Sequence, residues 1–387
     1  MSASSTQMNP TEQGPSDGKS SRLLSLDVFR GVTIAAMILV NNAGDEPASY
    51  WPLQHAKWNG WTPTDLIFPF FLFIVGVAMA FSFNSRQKRG ASKADLLGHI
   101  LWRGAVIFLI GLFLEGSGNG FHLSTWRVYG VLQRIAICYV ITAILALYTG
   151  RKTWIAVVVA CLAGYWILMR YIPVPGIGMP GRDIPLLDPD RNIVAWLDRK
   201  LLAGHLYEGT RDPEGILSTI PAIATSLLGL LTGDWLRSPR TGRVKAQGMA
   251  ISGMVFVALG EICAMWFTIN KKLWTSSFVV FTAGMALLCL ALCYAVLDVR
   301  KWRGKWVDPI LVFGMNAIAA YVFAGLLSNA LEAFHVGDRS FQEAIYQELF
   351  SPLGSPAVTS LLYSLSFLLI CWLTMLLLYR KRIFLKV

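Results

Sequence analysis

Residues 41–83 read NNAGDEPASYWPLQHAKWNGWTPTDLIFPFFLFIVGVAMAFSF. From Asp65 onward this is a nearly unbroken apolar run, close to the ~20 residues a helix needs to cross the hydrocarbon core of a bilayer. The residues before it form a polar loop in which His55 stands among Trp51, Lys57, Trp58, Asn59 and Trp61. Upstream lies a second apolar segment, 23–43, so the loop joins two expected spans. Histidine has the unperturbed pKa closest to neutrality, which makes His55 a candidate proton carrier at a membrane surface.

Working outward, the composition agrees. Of 387 residues, 55% are hydrophobic and 15% charged, against roughly 25% charged in a soluble globule. Apolar runs predict an all-α, polytopic integral membrane protein with spans near 23–43, 64–84, 96–115, 128–149, 153–171, 214–236, 246–269, 274–298, 307–330 and 356–379, each about the length of a bilayer crossing. The net charge of +11 sits in short loops: Arg86, Lys88, Arg89 and Lys93; Arg151 and Lys152; Arg237, Arg240, Arg243 and Lys245; Arg300, Lys301, Arg303 and Lys305; and Arg380, Lys381, Arg382 and Lys386. With both termini cytoplasmic, all of these fall on the cytoplasmic side, the pattern of positive-inside topology rather than of nucleic-acid binding. His55 then lies on the far side, periplasmic in a bacterial inner membrane. Three longer connections share that side: Gly116–Trp126, Ile172–Pro213, and a stretch from about Glu332 to Pro356. Residues 1–22 are polar and low in complexity and are expected to be a disordered cytoplasmic tail. Residues 23–387 are expected to form one transmembrane domain. The six cysteines all lie in apolar runs, so neither disulfides nor a metal site is expected.

Several polar groups fall where hydrocarbon should exclude them. Asp27 and Arg30, three apart, share a helix face and form a potential ion pair. Asn41 and Asn42 end the first span. In TWRVYGVLQRIAICY, Arg127 and Arg134 are seven apart, two turns along one helix face, with Gln133 adjacent, and an arginine at membrane depth normally faces a polar cavity or an acid such as Glu115. Thr62-Pro63-Thr64-Asp65 is a helix-start signature, and Asp65 is also close enough in sequence to orient His55. Asp212-Pro213-Glu214-Gly215 opens the sixth span in the same way. Nucleotide-binding loops and the common hydrolase motifs are missing.

The blocks RLLSLDVFRGVTIAAMILVNN, QHAKWNGWTPTDLIFPFFLFIVG, RVYGVLQRIAICY, DPEGILSTIPAIATSLLG, NKKLWTSSFVVFTAG and GMNAIAAYV resemble, in order, the heparan-α-glucosaminide N-acetyltransferase family. That resemblance implies a membrane acetyltransferase that takes acetyl from cytoplasmic acetyl-CoA to an amino sugar across the membrane, and it suggests a homodimer. It assigns catalysis to His55 and implicates Asn41. On this reading His55 is the general base, Asn41 an oxyanion donor and Asp65 the partner of His55. Arg30, Arg127, Gln133 and Arg134 are candidate acetyl-CoA ligands, and Trp58, Asn59 and Trp61 candidate sugar contacts. Direct transfer and an acetyl-histidine intermediate remain alternatives. An amino-sugar transporter and an O-acyltransferase are the rival functions.

Overall fold

A backbone in hydrocarbon must satisfy its own hydrogen bonds, so the apolar runs become helices. The computed structural model describes residues 23–87 and 90–385. Its helices are α1 (Leu24–Asn41), α2 (Ile67–Gln87), α3 (Lys93–Gly118), α4 (Val131–Tyr148), α5 (Arg151–Tyr171), α6 (Ile193–Leu201), α7 (Thr219–Arg237), α8 (Gly242–Ala264), α9 (Ser276–Tyr294), α10 (Asp308–Met315), α11 (Ala317–Ala333), α12 (Phe341–Ile345) and α13 (Pro356–Arg380). Among the described residues, nine helices are long and apolar enough to cross a membrane, and α10 with α11 makes a tenth span if counted together. The protein is therefore an all-α polytopic membrane protein. The expected tail, residues 1–22, lies outside the described residues, as do Lys88, Arg89 and Lys386 of the basic segments.

The structure departs from the expected spans in three places. The span expected at 307–330 is two helices bent by 71°. The break is at Asn316, whose buried amide leaves the helix to donate to the Ile383 carbonyl (3.1 Å) and accept from the Leu385 N–H (3.0 Å). Helix α4 begins at Val131, so Arg127 lies in the preceding loop and does not share a helix face with Arg134. Helix α7 begins at Thr219, which leaves Asp212 and Glu214 free to pair elsewhere. The long connection also contains α6, and a two-residue-per-strand hairpin joins His335–Val336 to Arg339–Ser340.

The spans sort into two shells. Between 56% and 67% of the spanning windows of α1, α2, α4, α7 and α9 is buried, against 17% to 28% for α3, α5, α8 and α13. The outer helices turn large apolar side chains such as Leu109, Phe113, Ile251 and Met254 outward, as lipid contact requires. Inner helices α2 and α7 touch backbone to backbone. A Cβ on Gly76 would collide with the main chain at Ser226 and Leu230, and one on Gly229 with that of Phe73. Small residues permit this approach where apolar burial gives no drive between helices.

The long loops gather at one end of the bundle. The Trp58 indole donates to the Leu187 carbonyl (2.8 Å), the Gly60 N–H to Ile269 (2.8 Å), and the Asp45 N–H to the Ser360 hydroxyl (3.0 Å). The other end carries the short loops and the Asn316 clasp.

Candidate active site

His55 owes its position to the turn that starts α2. Thr62, Pro63 and Asp65 make the capping box expected from the sequence, with the Thr62 N–H donating to Asp65 Oδ2 (3.0 Å). The same oxygen accepts from the Ala56 N–H (3.0 Å) and the Thr62 hydroxyl (3.1 Å). Its partner oxygen, Oδ1, lies 2.7 Å from His55 Nδ1. One carboxylate thus caps a helix, folds residues 55–62 back on it and holds the imidazole. Gly60, at φ +91°, supplies the left-handed step this turn needs. The Thr64 hydroxyl donates to Pro52 (2.9 Å), and the Gln54 amide to Ser49 (2.7 Å), pinning the approach. The Asp65 side chain is 1% exposed and that of His55 39%, so the imidazole faces outward on a buried anchor. An ionised carboxylate only accepts, so Nδ1 carries the proton and Nε2 is left as the basic nitrogen.

A second segment completes the group from far along the chain. Lys271 Nζ lies 3.0 Å from His55 Nδ1, 3.3 Å from Nε2 and 3.5 Å from Asp65 Oδ1. Its loop, between α8 and α9, is tightly fixed. The Asn270 side chain accepts from the Leu273 N–H (2.9 Å) and contacts Asn59 (3.4 Å), while its own N–H reaches Thr275 Oγ1 (3.0 Å). Burial pushes the Lys271 ammonium below the ordinary lysine range, against the opposing pull of Asp65 and Glu214.

Beneath this triad lies a buried ionic layer. Arg127 makes a two-pronged bond to Asp212 (2.8 and 2.6 Å), a bond to Glu214 (2.6 Å) and a longer one to Glu115 (3.3 Å), and stacks 4.6 Å from the Tyr207 ring. Burial opposes its charge, but the three carboxylates hold Arg127 above the ordinary arginine range. Burial likewise raises Glu214, yet Arg127, Arg134 and Lys271 outweigh it and keep the carboxylate below its usual value. Fully buried Arg134 donates to the Gly215 carbonyl (3.1 Å) and the Ser218 hydroxyl, under the Trp274 ring at 5.1 Å. Among the described residues its Nε and Nη1, and both amide atoms of buried Gln133, have no hydrogen-bond partner. Buried polar atoms are normally satisfied, so this layer has unused capacity for a polar guest.

A cavity of about 360 Å³ opens toward the other end. Its walls run along α2 from Phe71 to Phe83, about 18 Å at 1.5 Å per residue. On α4 they include Leu132 and Ile135, next to Gln133 and Arg134. Arg30, His99 and Arg103 supply positive or protonatable groups along a largely apolar lining. Arg30 also binds Asp27 (3.0 Å), the expected ion pair, and the Gly314 carbonyl (3.2 Å).

The expected residues therefore divide. His55 and Asp65 are joined, with Asn59 bridged to the Lys271 loop. Trp58 is clamped between Leu187 and the Arg211 guanidinium, 5.2 Å from its ring, and Trp61 packs on Phe281 at 4.7 Å. Trp61 is thus partly a packing residue, not a free sugar platform. Asn41 is exposed at the end of α1, a helix that packs on the turn Pro63–Leu66. Among the described residues no hydrogen bond links Asn41 to His55. Arg127, Gln133 and Arg134 sit below the triad, and Arg30 lies in the cavity. Sequence reasoning missed Lys271 and gave Asp212 and Glu214 only a helix-start role, whereas both bind Arg127. The signal for Lys271 was an Asn-Lys-Lys run between two apolar spans.

Residues 22–270 match the family described as heparan-alpha-glucosaminide N-acetyltransferase, catalytic. The chain is 32% identical to the human heparan-alpha-glucosaminide N-acetyltransferase over 361 residues, covering 80% of this chain and 53% of that protein. It is 30% identical to the mouse protein of the same name over 364 residues, covering 80% and 54%. The chain spans about half the length of the curated relatives it matches.

Proposed function

Because the chain belongs to the heparan-alpha-glucosaminide N-acetyltransferase family, we propose that it is a transmembrane acetyltransferase. It takes acetyl from acetyl-CoA at the cavity-bearing end and transfers it to the amine of glucosamine, or of a glucosamine-containing sugar, at the His55 end. The observation that carries this reading is the carboxylate-held histidine at 2.7 Å, standing over a polar layer toward which a cavity runs from the opposite end. The basic end is cytoplasmic and the His55 loop periplasmic, in a bacterial inner membrane, with residues 23–387 working as one unit.

The lining fits such a donor. Arg103 Nε is buried without a hydrogen-bond partner among the described residues, and guanidinium donors suit phosphate oxygens. The apolar walls suit a pantetheine arm, whose amides meet unsatisfied Gln133 and Arg134 at the inner end. At the reacting end Asp65 orients His55 so that Nε2 removes the proton from the attacking amine. Negative charge then grows on the thioester carbonyl oxygen. Asn41, at the end of the helix that abuts the Asp65 turn, is the side-chain amide assigned to donate to it. Transfer is direct, and trapping of a kinetically competent acetyl group on His55 by rapid quench would overturn that step.

The transporter reading ranks second. Its supporting observation is the broken pair α10–α11, since transporters build sites at discontinuous helices. Among the described residues this is one pair rather than two matching ones, and its break is clasped by residues 383–385 instead of facing the triad.

Protein reconstituted in vesicles with labelled acetyl-CoA outside and glucosamine inside tests the proposal. Wild type should yield N-acetylglucosamine and His55→Ala should not. Full activity in His55→Ala would remove the site assignment, and sugar uptake without acetylation would favour the transporter.

A further inference from the structure

Acetyl transfer from a thioester to an amine moves protons at two places. The amine must lose one, and the departing thiolate must gain one. His55 accounts for the first. Building on the acetyltransferase reading, we propose that Lys271 is the general acid that protonates the leaving thiolate, with His55 handing the amine's proton on to it.

A counterion role toward Asp65 alone does not account for the placement of Lys271. Asp65 already accepts from Ala56, Thr62 and His55 at 2.7–3.1 Å, and its 3.5 Å separation from Lys271 is long for a hydrogen bond. A lysine side chain only 19% exposed is costly to keep beside a base, and such arrangements concentrate at functional sites. The loop holding it is strained: Trp274, a bulky residue, sits at φ +52°, a conformation that persists only where surroundings enforce it. The placement matches the task. Lys271 touches His55 at 3.3 Å and lies within the electrostatic reach of Glu214. Trp274, three residues on, lies over Arg134. Lys271 therefore stands between the base and the ionic layer past which the donor's sulfur arrives. Burial of the ammonium makes it a stronger acid than a solvated lysine.

The step balances. The amine nitrogen bonds to the acetyl carbon, and His55 Nε2 takes its proton. The carbon–sulfur bond breaks, its electron pair stays on sulfur, and sulfur takes a proton from Lys271 Nζ. His55 then passes its proton across 3.3 Å to the neutral Lys271 amine. Net, one amine proton ends on the thiol, and both side chains return to their starting states.

The test compares wild type, Lys271→Met and Lys271→Arg with acetyl-CoA and with S-phenyl thioacetate, whose far more acidic thiol leaves without protonation. Lys271→Met should lose about 100-fold or more in kcat with acetyl-CoA, the usual range for a lost general acid, and much less with the aryl donor. Calorimetric titration should find acetyl-CoA affinity unchanged in both variants, which also shows that they are folded. Lys271→Arg keeps the charge but gives up a proton only above about pH 12, so it should remain as slow as Lys271→Met with acetyl-CoA. Equal losses with the two donors, restoration of the wild-type rate by arginine, or a fall in acetyl-CoA affinity matching the fall in rate would each overturn the role. An inactive wild type would instead count against the acetyltransferase reading itself.

Discussion

The two ends of this bundle are built on opposite plans. At the His55 end, long loops are sewn together by short hydrogen bonds, a carboxylate holds His55, and opposite charges pair: Arg127 with Asp212 and Glu214, Lys272 with Glu208 at 2.7 Å. At the other end, the loops are short and basic, and a cavity with buried but unsatisfied Arg103 Nε reaches into the bundle. The first plan suits chemistry, which needs dipoles fixed before the reaction begins. The second suits capture of a long anionic donor, which needs room and positive charge. The contrast implies that changes at the two ends separate rate from affinity.

The sharpest way to break that separation is at the triad. His55→Ala should lower kcat about 1,000-fold, within the general-base range, while the KM for acetyl-CoA moves little. A KM change as large as the kcat change would mean that the ends are not divided as described. Next comes the ionic layer. Arg127→Ala strands buried Asp212 and Glu214 and should cost about 3 kcal/mol of stability, the usual penalty for breaking a buried pair from one side. Denaturant unfolding in detergent measures it, and a loss under about 0.5 kcal/mol, the size of an exposed pair, would show the layer to be dispensable. At the opposite end, Arg103→Ala should raise the KM for acetyl-CoA about tenfold, equivalent to one charge-assisted hydrogen bond, with kcat nearly unchanged.

The smallest effect concerns Asp198, fully buried on α6 with Oδ1 accepting from the Ile216 N–H (3.0 Å) and Oδ2 unsatisfied. Burial pushes its carboxyl up to about 6. The folded state therefore holds this proton more tightly than the unfolded chain. The resulting penalty is fully present above the folded value and fades as pH falls toward the unfolded value near 4. From about pH 7.5 to about pH 5, wild type should gain about 1 kcal/mol relative to Asp198→Asn. Parallel pH profiles of melting temperature for the two proteins would exclude this contribution.

Legibility in the sequence followed the range of the interactions. The spans could be read because the bilayer imposes one length and one composition on each. The Thr62–Asp65 cap and the 10-residue reach from Asp65 to His55 were legible because they are local. Three features were not. The break at Asn316 depends on a segment 67 and 69 residues away that its amide binds, and nothing near Gly314 or Met315 announces it. The start of α7 at Thr219 leaves Asp212 and Glu214 in a loop where they bind Arg127, 85 and 87 residues away in sequence. Lys271 was hidden for the same reason, in a run that also suits an ordinary membrane-edge loop.

The 216 residues between His55 and Lys271 bear on how the protein is made. At ~5–20 residues per second, the ribosome needs roughly 10 to 40 seconds after His55 before Lys271 is added. During that interval the capped histidine is complete in local structure, yet the α8–α9 loop that reaches it has not entered the membrane. On the proposed role of Lys271, the site is assembled only once the α8–α9 loop is in place, late in insertion.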